Sequence, residues 1–539
     1  MTGRFVTGIL LLTAAALALR LPRLAVRPMH CDEANQAVLA GTLLDTGVYR
    51  YDPFEYHGPT MPWLTLPVLW LSGTKDFAHS EELPYRLVPV VFSVGLVLLL
   101  LAVGDGLGKG AALLAAALTA ASPALVFYGR CYIHETLLVF FTFATIACGW
   151  RYFRTRSLGW AAATGASLGL MYSTKETWIL AASAMAAGLL LTAAWSRWRD
   201  SVRTTSGSWL RPAAILLAAL AAVSVALACY SSFGTNARGP IDSLSAYAIY
   251  FRRGSQSGIH THPWYYYLQL LFACRPARGF FWSEGAIGVL AAIGCGVGLT
   301  GKGITPGQRP LLRFLAFYTL ALTVLYCAVP YKTPWCLLSF LHGMILLAGV
   351  GGWALLQAAR PVAVKVAIGL LLAIALGHLG WQGYLLNFRF YADQRNPWVY
   401  AATSTDMRNL ATQIGRVAQV APRHELTIHV VMPENYWPLP WYLRQFGADH
   451  VGYWHDVAAW ANASQQGSPP AVIILTADAQ PVVDQRLPAA YNKQMIFGLR
   501  PGVLLTVYVR DDLWAALTAT ATIPCDTRSV CSGWHPAGW

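Results

Sequence analysis

Two adjacent carboxylates, Asp32 and Glu33, stand in the run PMHCDEAN at residues 28–35, directly after the first strongly apolar stretch. Only 12% of the residues are charged, so an acidic pair beside an apolar segment is conspicuous. A carboxylate in such a place can act as a general base that accepts a proton from an attacking hydroxyl or amine. The following stretch ANQAVLAGTLLDTG predicts a helix, and Asp32 could instead simply cap its first turn. The residues alone leave both interpretations open.

Further loops combine acidic, basic and aromatic side chains beside apolar segments. With the first loop, about 27–83, they contribute Glu55, Tyr56, His57, Arg130, His134, Glu135, Lys175, Glu176, Tyr331, Lys332 and Trp335. The cations suit a phosphate or pyrophosphate, and the aromatic rings suit a sugar face or a lipid chain. The structural alternatives are an Arg130–Glu135 pair, a Lys175–Glu176 pair and a Lys332 that only reaches the membrane interface. The combination predicts a transferase with a phosphorylated lipid donor.

A membrane scaffold must position these loops. Hydrophobic residues make up 56% of the 539 residues, and the mean hydropathy is +0.45, which is typical of a polytopic membrane protein. Since a crossing needs about 20 apolar residues, the sequence predicts about eleven spans. They lie at approximately 5–26, 84–104, 110–128, 136–152, 158–173, 177–195, 212–232, 284–300, 311–329, 336–357 and 362–386.

The net charge of +14 first suggests nucleic acid, but the basic residues form short clusters between the apolar runs. That distribution favours the positive-inside rule, and no nucleic-acid partner is expected. RYFRTR (151–156), RWRDSVR (197–203) and GKGITPGQR (301–309) fall on one side, which we assign to the cytoplasm. The loops that carry the candidate side chains then face the extracytoplasmic side of the cell membrane.

The composition changes at about residue 387. ELTIHVVMP (425–433), PPAVIILTAD (469–478) and PGVLLTVYVRDD (501–512) predict strands, and PLPWYLRQF (438–446) predicts a short helix. We therefore expect a membrane module at 1–386 and a small extracytoplasmic α/β domain at 387–539. Cys525 and Cys531 could form a disulfide in that oxidising compartment or stay as two thiols.

Several of these motifs together resemble the GT-C superfamily of polytopic glycosyltransferases, which includes the protein O-mannosyltransferases and the lipid A aminoarabinose transferases. YDPFEYHGP (51–59), RCYIHE (130–135), STKETW (173–178) and PYKTPW (330–335) look most like the prokaryotic family of flippase-activity-associated glycosylation proteins. The resemblance covers most of residues 1–400. The segment PENYWPLPWYLRQFG (433–447) has no counterpart that suggests a role.

The resemblance implies an inverting sugar transfer from a polyprenyl-phosphate donor to an acceptor outside the cell. Asp32 would be the catalytic base, with Glu33 beside it. Lys332 would bind the donor phosphate, with Arg130 and Lys175 as further candidates, and the remaining candidate side chains would support the substrates. Some superfamily members use a divalent metal such as Mg, Mn or Zn. Asp32, Glu55, His57 and Glu135 could ligate one, but their spacing specifies no geometry.

Two rival functions remain open at the level of sequence. A flippase or transporter should carry charged or broken helices near the bilayer midplane, often in repeated halves, and the predicted spans contain few charges. An accessory subunit of a glycan assembly pathway would leave the clustered outer charges without a task. The sequence favours the enzyme, and it does not specify the sugar, the lipid chain length, the acceptor or the oligomeric state.

Overall fold

The structure is a computed structural model that describes residues 3–54, 57–200, 211–255, 258, 260–276, 279–464, 468–487 and 490–521. It divides into two compact units. The helical unit comprises Met1–Arg27 and Asn35–Tyr400. The C-terminal unit comprises Ala401–Trp539 together with the short segment Pro28–Ala34, which contains the acidic pair. The division near residue 400 lies beyond the predicted boundary at 387.

Helices account for nearly all regular structure before residue 400. They are α1 (Gly3–Arg20), α2 (Cys31–Thr46), α3 (Thr60–Leu71), α4 (Glu82–Leu107), α5 (Lys109–Ala121), α6 (Pro123–Tyr128), α7 (His134–Thr155), α8 (Leu158–Tyr172), α9 (Trp178–Asp200), α10 (Pro212–Tyr230), α11 (Gly239–Ser255), α12 (Tyr266–Phe272), α13 (Gly285–Thr300), α14 (Arg309–Ala328), α15 (Leu338–Ala358) and α16 (Val362–Tyr384). A 3-10 turn, Pro334–Leu337, precedes α15, and a π-helical turn, Leu385–Arg389, follows α16.

Among the described residues, eight helices are long and apolar enough to cross a bilayer: α1, α4, α7, α9, α10, α14, α15 and α16. The three other predicted spans coincide with α5 and α6, with α8, and with α13, whose helices are shorter than a full crossing usually requires. Leu190, Leu216 and Leu371 on the long helices are largely exposed. Exposed apolar side chains of this kind contact lipid in a membrane protein. The predicted polytopic helical fold is confirmed.

Guanidinium groups hold the chain that follows α1. Arg20 is fully buried, and it donates to Ser93 Oγ at 2.7 Å and to the carbonyls of Thr119 and Ala120 at 3.0 Å. Arg86 donates to the carbonyls of Leu24 at 2.7 Å and Arg27 at 2.8 Å. Because buried carbonyls need donors, these bonds fix the irregular stretch that leads toward the acidic pair.

The C-terminal unit is built on a five-stranded sheet with helices packed around it. The strands are β1 (Ile428–Val431), β2 (Val451–Trp454), β3 (Val472–Leu475), β4 (Tyr491–Arg500) and β5 (Val503–Arg510), and the helices are α17 (Asp406–Val420), α18 (Leu439–Tyr442), α19 (Val457–Ser464), α20 (Gln480–Arg486) and α21 (Asp511–Ala521). The strand order is β2-β1-β3-β5-β4. β1 pairs in parallel with β2 and β3, and β5 pairs antiparallel with β3 and β4.

The three predicted strands correspond to β1, β3 and β5, whereas β2 and β4 were not predicted. The missed strands lie at the two edges of the sheet, where one side lacks a neighbouring strand. The four residues of β2 are all half-buried, and β4 begins with the polar residues of YNKQ, so β2 is too short and β4 too polar in its first half to stand out as a buried strand. The predicted short helix at 438–446 forms as α18. The cysteines 525 and 531 lie outside the described residues.

Candidate functional site

The acidic pair opens α2 through a reciprocal helix cap within the C-terminal unit. The backbone N–H of His30 donates to Glu33 Oε2 at 3.0 Å, and the N–H of Asp32 donates to His30 Nδ1 at 3.1 Å. His30 therefore occupies the cap position, and Glu33 three residues later bonds back to it, as in a capping box. Each side chain satisfies an N–H group that the first turn of a helix leaves without an intrahelical acceptor.

This cap separates the two carboxylates. Glu33 is fully buried and engaged with the backbone, whereas the side chain of Asp32 is exposed. The capping role that the sequence offered to Asp32 belongs instead to Glu33 and His30. Asp32 keeps a solvent-accessible carboxylate at the positive end of α2, where a negative charge is favoured.

A second cluster, in the helical unit, joins the first loop to the turn before α9. His57 Nδ1 lies 2.8 Å from Glu176 Oε2 and 2.9 Å from the hydroxyl of Tyr250. The hydroxyl of Tyr51 donates to Glu176 Oε1 at 3.4 Å. The Glu176 side chain is 5% exposed and that of His57 is 29% exposed. A buried carboxylate thus orients an imidazole that solvent still reaches.

Gly58 allows this close approach. A Cβ at that position would lie 2.1 Å from the carbonyl oxygen of Ser173, so any side chain would force the two loops apart. The N–H of Thr60 donates to the same carbonyl at 3.2 Å, and His134 Nε2 lies 3.2 Å from the carbonyl of Gly58. The glycine in the run HGPT is therefore the residue that lets His57 reach Glu176.

Glu135 and Lys175 form a buried ion pair between α7 and the turn before α9. Burial alone would lower the pKa of Lys175, but the Glu135 carboxylate outweighs it, and the pKa of this lysine is raised. The sequence-based alternatives paired Arg130 with Glu135 and Lys175 with Glu176. Both pairings are wrong: Glu135 belongs with Lys175, and Glu176 belongs with His57.

Arg130 donates to main-chain carbonyls rather than to a carboxylate. Its acceptors are the carbonyl oxygens of Arg20 and Pro22, each at 2.8 Å, and of Leu19 and Arg23, each at 3.4 Å. Burial, followed by the positive charge of Arg27, lowers the pKa of Arg130 to about 9. The guanidinium thus stabilises the chain after α1 in an electropositive surrounding, and its role toward a donor phosphate stays a prediction.

Lys332 lies where the segments around 261 and 331 pair as a short antiparallel bridge. Its backbone N–H donates to the carbonyl of His260 at 2.8 Å, and its ammonium donates to the carbonyls of Val329 and His262. The residue is 1% exposed, and burial lowers its pKa. A buried ammonium on neutral carbonyls would be stabilised further by an anionic ligand.

Two aromatic residues of the same loop pack against other rings. The ring of Tyr331 lies 4.8 Å from that of His260, and Trp335 packs edge-on against Tyr128 and Tyr400 at 6.2 and 5.7 Å. Tyr331 is 42% exposed, so part of this residue is accessible. In the predicted grouping of Tyr331, Lys332 and Trp335, the lysine and the tryptophan are buried and the tyrosine is partly accessible.

Glu55 and Tyr56 lie outside the described residues. Of the other residues considered for a metal, His57 and Glu135 are engaged with Glu176 and Lys175. Among the described residues, the one grouping of metal-ligating types is His30, Cys31 and Asp32, three consecutive residues at the start of α2. Consecutive residues in a helix cap specify no coordination geometry, so a divalent metal stays a prediction.

Tyr51 and Tyr250 were not among the candidates from sequence. Both contact the His57–Glu176 pair, and Tyr250 comes from α11, far along the chain. Tyr51 stands in the same YDPFEYHGP run as His57, and that proximity could have identified it. Nothing in the sequence around Tyr250 indicates its partner, because the contact joins residues 193 positions apart.

Comparison with known proteins adds the following. A family model described as dolichyl-phosphate-mannose-protein mannosyltransferase matches residues 64–235. The structure is similar to that of ArnT from Cupriavidus metallidurans in the apo state, with 16% identity, a TM-score of 0.61 and coverage of 94% of this chain and 98% of that chain. The same protein bound to undecaprenyl phosphate matches with 17% identity, a TM-score of 0.61 and coverage of 93% and 97%.

The archaeal oligosaccharyltransferase AglB from Archaeoglobus fulgidus, in complex with an inhibitory peptide and a dolichol-phosphate, matches with 11% identity, a TM-score of 0.55 and coverage of 89% of this chain and 70% of that chain. The chain has the GT-C fold. The predicted resemblance to the GT-C superfamily is confirmed, and the closer likeness to the flippase-activity-associated family stays a prediction. No curated protein matches the sequence. At these identities the similarity establishes the fold, and the catalytic and binding roles of individual residues stay predictions.

The contribution of the Glu135–Lys175 pair to the stability of the protein can be tested by substitution. Replacing Lys175 by Met leaves a buried carboxylate uncompensated, which should destabilise the protein by about 3–5 kcal/mol. The double variant Lys175→Met with Glu135→Gln should recover most of that loss, because no lone charge remains. The measurement is the thermal unfolding midpoint of the purified protein in detergent, at neutral pH.

The stability that the Glu135–Lys175 pair contributes should decrease only at high pH. Because the pKa of Lys175 is raised, the pair contributes fully below the ordinary lysine pKa and is lost only as the pH rises through the higher folded value. Arg238→Met removes an exposed pair with Asp242 and serves as a control that should cost less than about 1 kcal/mol. A Lys175→Met protein that unfolds like the wild type would show that the pair carries no stability.

Proposed function

We propose that the chain is an integral-membrane glycosyltransferase that moves a sugar from a polyprenyl-phosphate donor to an acceptor on the extracytoplasmic side. The observation that carries this proposal is the state of the acidic pair: Glu33 caps α2, and Asp32 stands exposed beside it. The family model over 64–235 and the similarity to ArnT bound to undecaprenyl phosphate support it.

Asp32 would act as the general base. Its carboxylate would accept the proton of the acceptor nucleophile as that group attacks the anomeric carbon, and a positioned base of this kind contributes about 10²–10⁴-fold in rate. The glycosidic bond to the donor phosphate breaks as the new bond forms, and the lipid phosphate leaves with the electron pair. Attack from the opposite side inverts the anomeric configuration.

Lys332 would stabilise the departing phosphate. Charge develops on the leaving oxygen, and a preorganised cation there lowers the barrier more than a solvated one. Its ammonium is buried on neutral carbonyls with a lowered pKa, which suits an incoming anion. Lys175 is a weaker candidate because Glu135 already neutralises it. Arg130 is weaker because its guanidinium donates to four main-chain carbonyls, whereas the ammonium of Lys332 donates to two.

The His57–Glu176 pair would position a substrate rather than act as the base. Glu176 accepts a hydrogen bond from Nδ1–H of the neutral imidazole, so the other ring nitrogen, Nε2, can accept a hydrogen bond from a sugar hydroxyl. Tyr51 and Tyr250 complete the support of this pair.

Asp32→Asn should reduce sugar transfer by at least about a hundredfold, because the amide cannot accept the proton. Glu33→Gln is the matched control: the glutamine oxygen can still accept the His30 N–H bond, so transfer should stay within several-fold of the wild type. The measurement is transfer of label from a radiolabelled polyprenyl-phosphate sugar by the purified protein. Retained transfer in Asp32→Asn would refute the proposed base.

Lys332→Met should raise the KM for the lipid donor by about 10- to 100-fold, since a charged hydrogen bond to phosphate is worth about 1.5–3 kcal/mol. Lys302→Met removes an exposed cation from a basic loop between α13 and α14 and should leave that KM unchanged. Initial rates at varied donor concentration provide the measurement. An unchanged KM in Lys332→Met would exclude this lysine as a donor-phosphate ligand.

The proposed orientation predicts opposite labelling of two exposed positions. In a chain without its native cysteines, Asp32→Cys should react with a membrane-impermeant thiol reagent applied to intact cells, and Arg199→Cys should not. Both side chains are exposed, so the reagent can reach each one from its own side. Labelling of position 199 but not of position 32 would invert the proposed orientation.

A further inference from the structure

The segment Pro28–Ala34 is part of the C-terminal unit, although it is separated from the rest of that unit by most of the chain. Met29 makes the connection through its backbone. Its N–H donates to the hydroxyl oxygen of Tyr442 at 3.0 Å, and its carbonyl accepts from Thr403 Oγ1 at 2.7 Å. Both polar groups of one peptide residue are thus satisfied by side chains of the C-terminal unit.

All three residues are buried. Met29 is 0% exposed, Tyr442 is 4% exposed and Thr403 is 5% exposed, so water does not readily replace either bond. Tyr442 ends α18 and belongs to the run PENYWPLPWY, for which the sequence suggested no role. Arg500 ties the start of this run, since it donates to the carbonyl of Asn435 at 2.8 Å and lies near Cys31.

These two bonds can affect Asp32 because Met29 lies just before it in the chain. Met29 directly precedes His30, the cap residue of α2, and Asp32 lies in the first turn. The two bonds to Met29 therefore hold the backbone directly before the cap of α2, three residues before Asp32. A displacement of about 1 Å in a reacting group can cost about a hundredfold in rate.

We propose that Tyr442 and Thr403 are positioning residues that hold Asp32 in place through the backbone of Met29, so that the C-terminal unit contributes to the reaction. The contact itself is independent of the function, whereas its importance for turnover rests on the proposed role of Asp32. Neither residue touches substrate in this arrangement, and both act through the cap of α2.

The proposal is tested by two measurements on the full-length protein in detergent. The first is hydrogen–deuterium exchange of the peptide that contains residues 28–35. Tyr442→Phe and Thr403→Val should each increase its exchange rate by about fivefold or more, because each removes one bond to Met29. The second is transfer kinetics, in which kcat should fall by about tenfold or more while the donor KM changes less than twofold.

Matched variants separate positioning from general damage. Tyr491→Phe removes a buried hydroxyl that donates to the carbonyl of Pro470 in the same unit, and it should change neither the exchange of 28–35 nor kcat. Thr403→Ser keeps the hydroxyl and should restore both values toward the wild type. The thermal midpoint of the Tyr442→Phe protein should stay close to that of the Tyr491→Phe protein.

Unchanged exchange of residues 28–35 in both Tyr442→Phe and Thr403→Val would overturn the proposed contact. Faster exchange with an unchanged kcat would overturn the proposed positioning role. Failure of the base assignment is seen separately, as retained transfer in Asp32→Asn, and leaves the exchange result to stand by itself.

Discussion

Irregular backbone beside apolar helices has to find hydrogen-bond donors and acceptors inside the protein, and this requirement shapes the approach to Asp32. The chain after α1 leaves regular helix at Arg20. Its carbonyls are then bonded by Arg86 and Arg130, which are both buried. An unsatisfied carbonyl in such surroundings costs about 1–3 kcal/mol or more. The hydrogen bonds from the guanidinium groups therefore hold this loop in one conformation. Met29 continues that path within the C-terminal unit through Thr403 and Tyr442.

Buried carboxylates also need polar or charged partners, and the partners differ from one acidic residue to the next. Glu33 satisfies the N–H of His30, Glu135 is neutralised by Lys175, and Glu176 orients His57. Each of these carboxylates is buried, and each has a partner that offsets the free-energy cost of desolvation. Asp32 differs because it is exposed at the first turn of α2. Asp32 is therefore the carboxylate of the acidic pair that solvent reaches.

The basic residues also differ in the partners that they bond. Arg20, Arg86 and Arg130 hold main-chain carbonyls, so their fork-shaped donors serve the fold. Lys175 compensates a carboxylate. Lys332 is likewise buried, and its ammonium donates to the main-chain carbonyls of Val329 and His262. Tyr331 and Trp335, in the same loop, pack against the rings of His260 and Tyr400.

Local patterns in the sequence determined the membrane class, the positions of the eight long apolar helices, the three inner strands and the GT-C resemblance. Run length and apolar periodicity are properties of neighbouring residues, and hydrophobic burial acts on them directly. The edge strands β2 and β4 were not predicted because β2 has only four residues, all half-buried, and β4 begins with polar residues.

The partners of the charged and polar groups were decided only by the tertiary structure. The sequence placed Glu135 near Arg130 and Lys175 near Glu176, but the folded chain pairs Glu135 with Lys175, 40 residues away. Tyr442 and Thr403 meet Met29 across 413 and 374 residues. Hydrogen bonds and ion pairs depend on distances of about 3 Å in space, which no spacing along the chain specifies. The sequence determined that Asp32 and Glu33 stand at the start of a helix, and the fold decided which one caps it and which one stays exposed.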